Sequence, residues 1–256
     1  MILLDCKSAE STCLSLEKIL NLGRADIRAF LSDIDGKGFD SQTGKSFGEY
    51  LFRLLIGKHG RREIKADGVC WFHATRTPDH MRFQKGLIPL GEFVELAWTD
   101  LHQLVRGEVS DQKWQKFRHE LESGANRTQD ADWYRGKLKS DHGGPWGFLV
   151  RASAFSCDDY LQVPEIVQQI CNCVHEAFGI DLLERFQECS RPCIVEFWSD
   201  DTKDIERLVA EALWYLWEYG HGKPYRCQYS FNGEGNAVLP ERIRKVECPV
   251  VPDPVN

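Results

Sequence analysis

Helical apolar stripes dominate this chain, and the short apolar runs that read as strands fall between them out of strict alternation. Ile205, Leu208, Val209, Ala212, Leu213, Leu216 and Trp217 form the cleanest stripe. Leu16, Ile19 and Leu20, then Ile27, Phe30 and Leu31, and then Phe47, Tyr50, Leu51, Leu54 and Leu55 predict helices within residues 1–66. Further helices are predicted over Pro78–Lys85 with Gly86 as the stop, and over Phe93–Val105. Two more are read from Ser110, as N-cap, to Gly124, and from Val163 to Phe186 with Pro164 in the first turn and a break at Gly179. Strands are read at Val69–Phe72, Trp146–Val150, Cys193–Trp198, Tyr225–Phe231, Asn236–Leu239 and Arg244–Val250, while Asn126–Gly144 reads as polar and irregular. Strands and helices mixed in this way indicate an α+β fold and not a doubly wound sheet.

The length, 256 residues, suits one large domain or one domain with an appendage. A formal charge of −7 disfavours non-specific binding to a nucleic-acid backbone. No apolar run approaches the ~18 residues of a membrane span. Met1–Asp5 lacks the basic start of a signal peptide. The expectation is a soluble, cytoplasmic chain with no membrane partner, whose ten cysteines are reduced, mostly buried thiols.

Several motifs come close to known chemistry and fail. Gly44-Lys45-Ser46 ends like a phosphate-binding loop, but its first glycine would stand at Phe39. Asp33-Ile-Asp35-Gly-Lys-Gly38 opens like a calcium loop, but its twelfth position is Gly44 where a bidentate glutamate is required. Cys171, Cys173 and His175, with Cys189 and Cys193, offer soft ligands for zinc. Residues two apart on a helix project from different faces, however, and no Cys-x-x-Cys knuckle is present, so no metal is expected.

The most informative segment is Gly68-Val-Cys-Trp-Phe-His73-Ala74-Thr75-Arg76, followed by a short helix and Gly86-Leu87-Ile-Pro89. It resembles the first strand and following helix of the ADP-ribosyltransferase superfamily. The match is nearest to the histidine-bearing branch, which includes the poly(ADP-ribose) polymerases and several bacterial toxins. The residues suit an extended NAD molecule. His73 can donate to a ribose hydroxyl, Ala74 and Thr75 keep the backbone accessible to the nicotinamide amide, and Arg76 can meet the pyrophosphate.

Two other segments extend the resemblance. Phe231-Asn-Gly233-Glu234-Gly-Asn-Ala-Val-Leu-Pro240-Glu241-Arg-Ile243 is similar to the region that carries the family's catalytic glutamate, at the opening of a strand, and places Glu234 there. A carboxylate at that point stabilises the oxocarbenium-like state formed as the N-glycosidic bond breaks. Gly143-Gly144-Pro-Trp146-Gly147-Phe148 stands where the branch often has a stacking tyrosine, and it offers Phe148 or Trp146 instead. Tyr160 and Tyr134 are further aromatic candidates.

The resemblance implies a split β-sandwich core over residues 67–256 with flanking helices, a helical insertion at about 91–142, and a helical N-terminal extension over 1–66. It implies NAD-dependent ADP-ribosyl transfer to a macromolecular acceptor, protein or nucleic acid, as in an intracellular toxin or defence effector. His73 and Glu234 would be catalytic, and His73, Ala74, Thr75, Arg76, Phe148 and Tyr160 would hold NAD. The N-terminal helices are a place for a partner or antitoxin. The other reading is a catalytically inactive binding or scaffold module with the NAD fold, stabilised by zinc.

Overall fold

The computed structural model describes residues 1–39, 46–60, 63–139, 143–156, 163–225 and 229–249. In chain order its elements begin with β1 (Leu3–Leu4), α1 (Ala9–Leu20), α2 (Arg24–Ser32), α3 (Phe47–His59) and β2 (Gly68–Thr77). A 3-10 turn at His80–Lys85 leads to α4 (Leu90–Val105), α5 (Asp111–Ser123), α6 (Gln129–Lys139), β3 (Trp146–Phe148) and the short α7 (Arg151–Ser156). Then come α8 (Glu165–Phe178), α9 (Leu182–Cys189), β4 (Arg191–Ser199), α10 (Ile205–Gly220), β5 (Ser230–Asn232) and β6 (Ile243–Glu247). The fold is α+β. The described strands form one sheet in the order β5-β3-β2-β4-β6, with β1 parallel to β2 through Leu3–Gly68 and Leu4–Val69, and β2 antiparallel to β3 through Phe72–Phe148.

The chain divides into two compact units. The first comprises residues 1–73, 147–156 and 196–231, and the second 74–146, 157–195 and 232–256. The boundary expected near residue 66 therefore falls inside the first unit. The reason is visible in α10, whose Leu208, Val209, Ala210, Ala212, Leu213, Leu216 and Trp217 are buried under α1, α2 and α3. The N-terminal helices spend their apolar stripes on this late helix, so they are half of a core and not an appendage.

Local sequence sets the helix ends in this unit. Ser46 and Glu49 make a reciprocal capping box that starts α3: Glu49 N donates to Ser46 Oγ at 3.1 Å, and Ser46 N donates to Glu49 Oε2 at 3.2 Å. Ser8 and Ser11 do the same for α1. Where α3 crosses α10, a Cβ on Gly48 would lie 2.5 Å from the Ala210 carbonyl oxygen, so only glycine lets the two backbones meet.

The second unit has its own helical core. Trp98, Leu101, Trp114, Phe117, Leu121, Tyr134, Ile170, Val174, Leu182 and Phe186 from α4, α5, α6, α8 and α9 are all buried in it. The Trp98 indole donates to the Tyr134 hydroxyl at 2.9 Å, and Trp98 meets Trp114 edge-on at 5.2 Å between centroids. The helical stretch expected at about 91–142 thus packs against 163–189 as one core. Helix α6 lies where the sequence reads as irregular. Only Ala131 and Tyr134 of it are buried, too thin a stripe to show a period. Strand β2 also runs further than expected, to Thr77, because Ala74, Thr75 and Thr77 are buried although His73 and Arg76 interrupt the apolar run. The break at Gly179 is real: it caps α8 in the left-handed region at φ 68°.

Glu211 is the one charged residue that α10 carries into its interface, at 1% exposure. Its Oε2 accepts from the Tyr225 hydroxyl at 2.6 Å, while Oε1 has no hydrogen-bond partner among the described residues. Burial raises its pKa, opposed by the Tyr225 and Ser46 hydrogen bonds and by Arg207, and reinforced by Glu49. A carboxyl whose pKa is raised by folding binds its proton more tightly in the folded state. Its contribution is therefore full below the unfolded pKa of ~4.3 and is lost as pH rises through the folded one. Glu211→Gln is expected to exceed the wild type in stability at neutral pH by on the order of 1 kcal/mol, with the gap closing near ~pH 4. Urea unfolding at a series of pH values measures it.

Candidate functional site

Strand β2 carries the first group of candidate residues in its interior and not at its end. His73 is half-buried, Ala74 and Thr75 are each 8% exposed, and Arg76 is partly exposed. Phe72 pairs directly with Phe148, so these two side chains share one face of the sheet. Alternation along the strand turns His73 to the other face. Gly147 stands on that second face too, where a Cβ would touch the Trp71 Cβ and the Phe197 ring at 3.0 Å. Trp71 also donates its indole N–H to Ser199 Oγ at 2.9 Å.

Arg76 is committed to the protein. Its Nε donates to Ser190 Oγ at 2.7 Å, and Nη2 donates to the carbonyls of Gln187 at 2.7 Å and Ser190 at 3.1 Å. These acceptors lie at the C-terminal end of α9, where helix carbonyls lack partners within the helix. Ser190 Oγ in turn donates to the Phe186 carbonyl. The guanidinium holds a helix end, and the expected pyrophosphate contact competes with that task.

Glu234 sits in a turn directly after β5. Its φ is 51°, its side chain is exposed, and its backbone N–H donates to Asn232 Oδ1 at 3.0 Å. Asn236 N closes the turn on the Gly233 carbonyl at 2.8 Å. The family pattern puts the glutamate at the opening of a strand, whereas here the next strand, β6, starts only at Ile243. Two flanking glycines and an asparagine side chain favour the turn.

Three segments singled out in the sequence meet within the second unit through their backbones. Gly233 N donates to the Pro145 carbonyl at 2.9 Å, and Gly235 N to the Gly144 carbonyl at 3.1 Å. Leu90 N donates to the Gly143 carbonyl at 2.8 Å. Leu87 and Val238 exchange both hydrogen bonds, at 2.9 and 2.8 Å. Gly86, at φ 91°, lies so close that a Cβ would be 2.0 Å from the Val238 carbonyl oxygen. The Gly-Leu pair is thus explained by contact with the Glu234 segment.

Among the aromatic candidates, Trp146 is 38% exposed. Tyr134 is a core residue at 0% exposure, bonded to Trp98, and burial pushes its pKa up to about 12. Tyr160 lies outside the described residues.

The zinc candidates do not converge among the described residues. Cys171 and Cys173 are both buried in the helical core, where burial pushes their thiols up to about 12 and about 11, while His175 is exposed. Such thiols stay protonated and make poor metal ligands. The sequence reading missed a different group. One ligand atom each from Asp5, Cys70 and Glu196 lies within 4.8 Å of the others, the one group of its kind among the described residues. Lys7 Nζ sits 2.8 Å from Glu196 Oε2, and Glu196 is 4% exposed. The ammonium already supplies the countercharge, so the group is organised as a buried ion pair. Its one sequence signal was a glutamate in the apolar run Cys193–Trp198.

Gly86→Ala is expected to strain the backbone and push Val238 away, at a cost of roughly 1–3 kcal/mol. Hydrogen exchange should show the Leu87 and Val238 amides losing protection while Trp98 and Leu101 keep theirs.

No protein-family model matches the chain, and no curated protein or solved structure is detectably similar to it.

Proposed function

We propose that the chain binds NAD and transfers ADP-ribose from it to a macromolecular acceptor, on a split β-sandwich core of the ADP-ribosyltransferase type. The observation that carries this reading is the mutual hydrogen bonding of Gly86–Leu90, Gly143–Pro145 and Gly233–Val238. These segments lie far apart in the chain and were each read separately as parts of one nucleotide-binding pattern.

In the reaction, the bond between nicotinamide and the ribose C1′ breaks and its electron pair leaves with nicotinamide. An acceptor nucleophile bonds to C1′ and gives up its proton to water. His73 orients a ribose hydroxyl, Tyr160 stacks on nicotinamide in place of Phe148, which lies with Phe72 on the sheet face opposite His73, and Ala74 and Thr75 present backbone groups. The Glu234 carboxylate accepts from the 2′-hydroxyl and stabilises the positive charge on the sugar. A second reading is an inactive NAD-binding module. It is favoured by the exposed turn that holds Glu234 and by the engagement of Arg76 with α9.

Calorimetry with NAD and an assay of nicotinamide release in the presence of cell lysate distinguish the outcomes. Wild-type protein is expected to bind NAD and release nicotinamide. Glu234→Gln should bind NAD but release nicotinamide about 10²-fold more slowly. His73→Ala should weaken binding by about tenfold, the worth of one good hydrogen bond. Binding without release in the wild type would establish the inactive module, and absence of binding would overturn both readings.

A further inference from the structure

One of the cysteines weighed above as a zinc ligand, Cys193, lies against a different thiol, Cys248. Cys193, the third residue of β4, is 0% exposed, whereas Cys248, directly after β6, is exposed. Their Sγ atoms are 3.3 Å apart, inside the contact distance of two sulfur atoms. Strands β4 and β6 are neighbours in the sheet, with β6 at its edge.

We propose that Cys193 and Cys248 form a redox modification site, in which a peroxide or a small-molecule disulfide joins them as an intramolecular disulfide across β4 and β6. The inference is independent of the NAD reading.

The chemistry assigns different parts to the two thiols. Cys193 is held protonated, its pKa pushed up to about 12 by burial first and then by Cys248. Cys248 is the sulfur that an oxidant can reach. With hydrogen peroxide, Cys248 gives up its proton and its thiolate attacks one oxygen, the O–O bond breaks, and a sulfenic acid and hydroxide result, the hydroxide taking up that proton as water. Cys193 then displaces the sulfenic oxygen as water, its own proton leaving in that water, and the S–S bond forms. In balance, two thiols and one peroxide give one disulfide and two waters, with both electrons passing to the peroxide. A disulfide S–S bond of about 2.05 Å asks the two sulfurs to close by only about 1.3 Å from their present contact.

Contact also sets the selectivity. Cys6, Cys13, Cys70, Cys171 and Cys173 are buried, and Cys189 is the other exposed thiol among the described residues. Cys248 has its resolving partner already in place, so disulfide formation should outrun any further oxidation of its sulfenic acid. The product would pin the edge strand β6 to β4 and close a loop between positions 55 residues apart.

The test is peptide mapping of the intact protein after treatment with hydrogen peroxide, with free thiols blocked before reduction and released thiols given a second label. The expected product is a Cys193–Cys248 crosslinked peptide that dithiothreitol opens, with β6 amides exchanging at least tenfold more slowly in the oxidised form. In Cys193→Ser, Cys248 should instead accumulate as a sulfenic acid that dimedone traps. Cys248 oxidised while wild-type Cys193 stays free, Cys248 joined to Cys189, or no oxidation of either thiol would each overturn the proposal. The wild-type mapping decides the matter even where a variant fails to fold.

Discussion

Strand β2 is buried along almost its whole length, and its backbone needs hydrogen-bonding partners on both edges. Strand β4 supplies one edge, while β1 and β3 in succession supply the other. Much else follows from this requirement. The chain must return to β2 from its N-terminus, its middle and its C-terminal half, and each return leaves helices to be packed.

The two helical cores answer this arrangement differently. In the first unit a single late helix, α10, is enclosed by three early ones, and its burial exceeds what a surface helix needs. Close approach at Gly48 and the reciprocal Ser46–Glu49 cap fix how α3 lies on it. The buried carboxyl of Glu211 is the cost of so complete an enclosure. In the second unit the core rests on large rings, with Trp98, Trp114, Phe117 and Tyr134 meeting mostly edge-on. The polar ends of Trp98 and Tyr134 satisfy one another, which lets both sink completely.

What could be read from the sequence depended on whether a signal was local. Ser110, Gly124, Pro164, Gly179 and Gly86 marked helix ends correctly, because caps act over a few residues. The stripe of α10 was plain, but nothing local said which helices would cover it, so residues 1–66 read as an extension. Helix α6 was hidden because two buried residues carry no period. The end of β2 was misplaced because a polar side chain in a central strand is paid for by distant partners, as Arg76 is by Gln187 and Ser190. The Asp5, Lys7, Cys70 and Glu196 group draws on separate segments, and the contact of Cys193 with Cys248 depends on strand order. Neither is a pattern in the chain.

The candidate site shows the same division between what a backbone can fix and what a side chain can do. Backbone hydrogen bonds to Gly144 and Pro145 hold the Gly233–Gly235 turn, and Asn232 ties the amide of Glu234 from within it. That clamp determines where the carboxylate starts, and a residue held at positive φ has little freedom to start elsewhere. It does not determine the surroundings of the carboxylate, which is exposed and solvated. Water screens such a charge, and its pull on a developing sugar cation is strong only where water has been excluded. A positioned but solvated carboxylate would gain electrostatic strength from a ligand that displaced its water, so under the proposed function holding NAD has to come before acting on it.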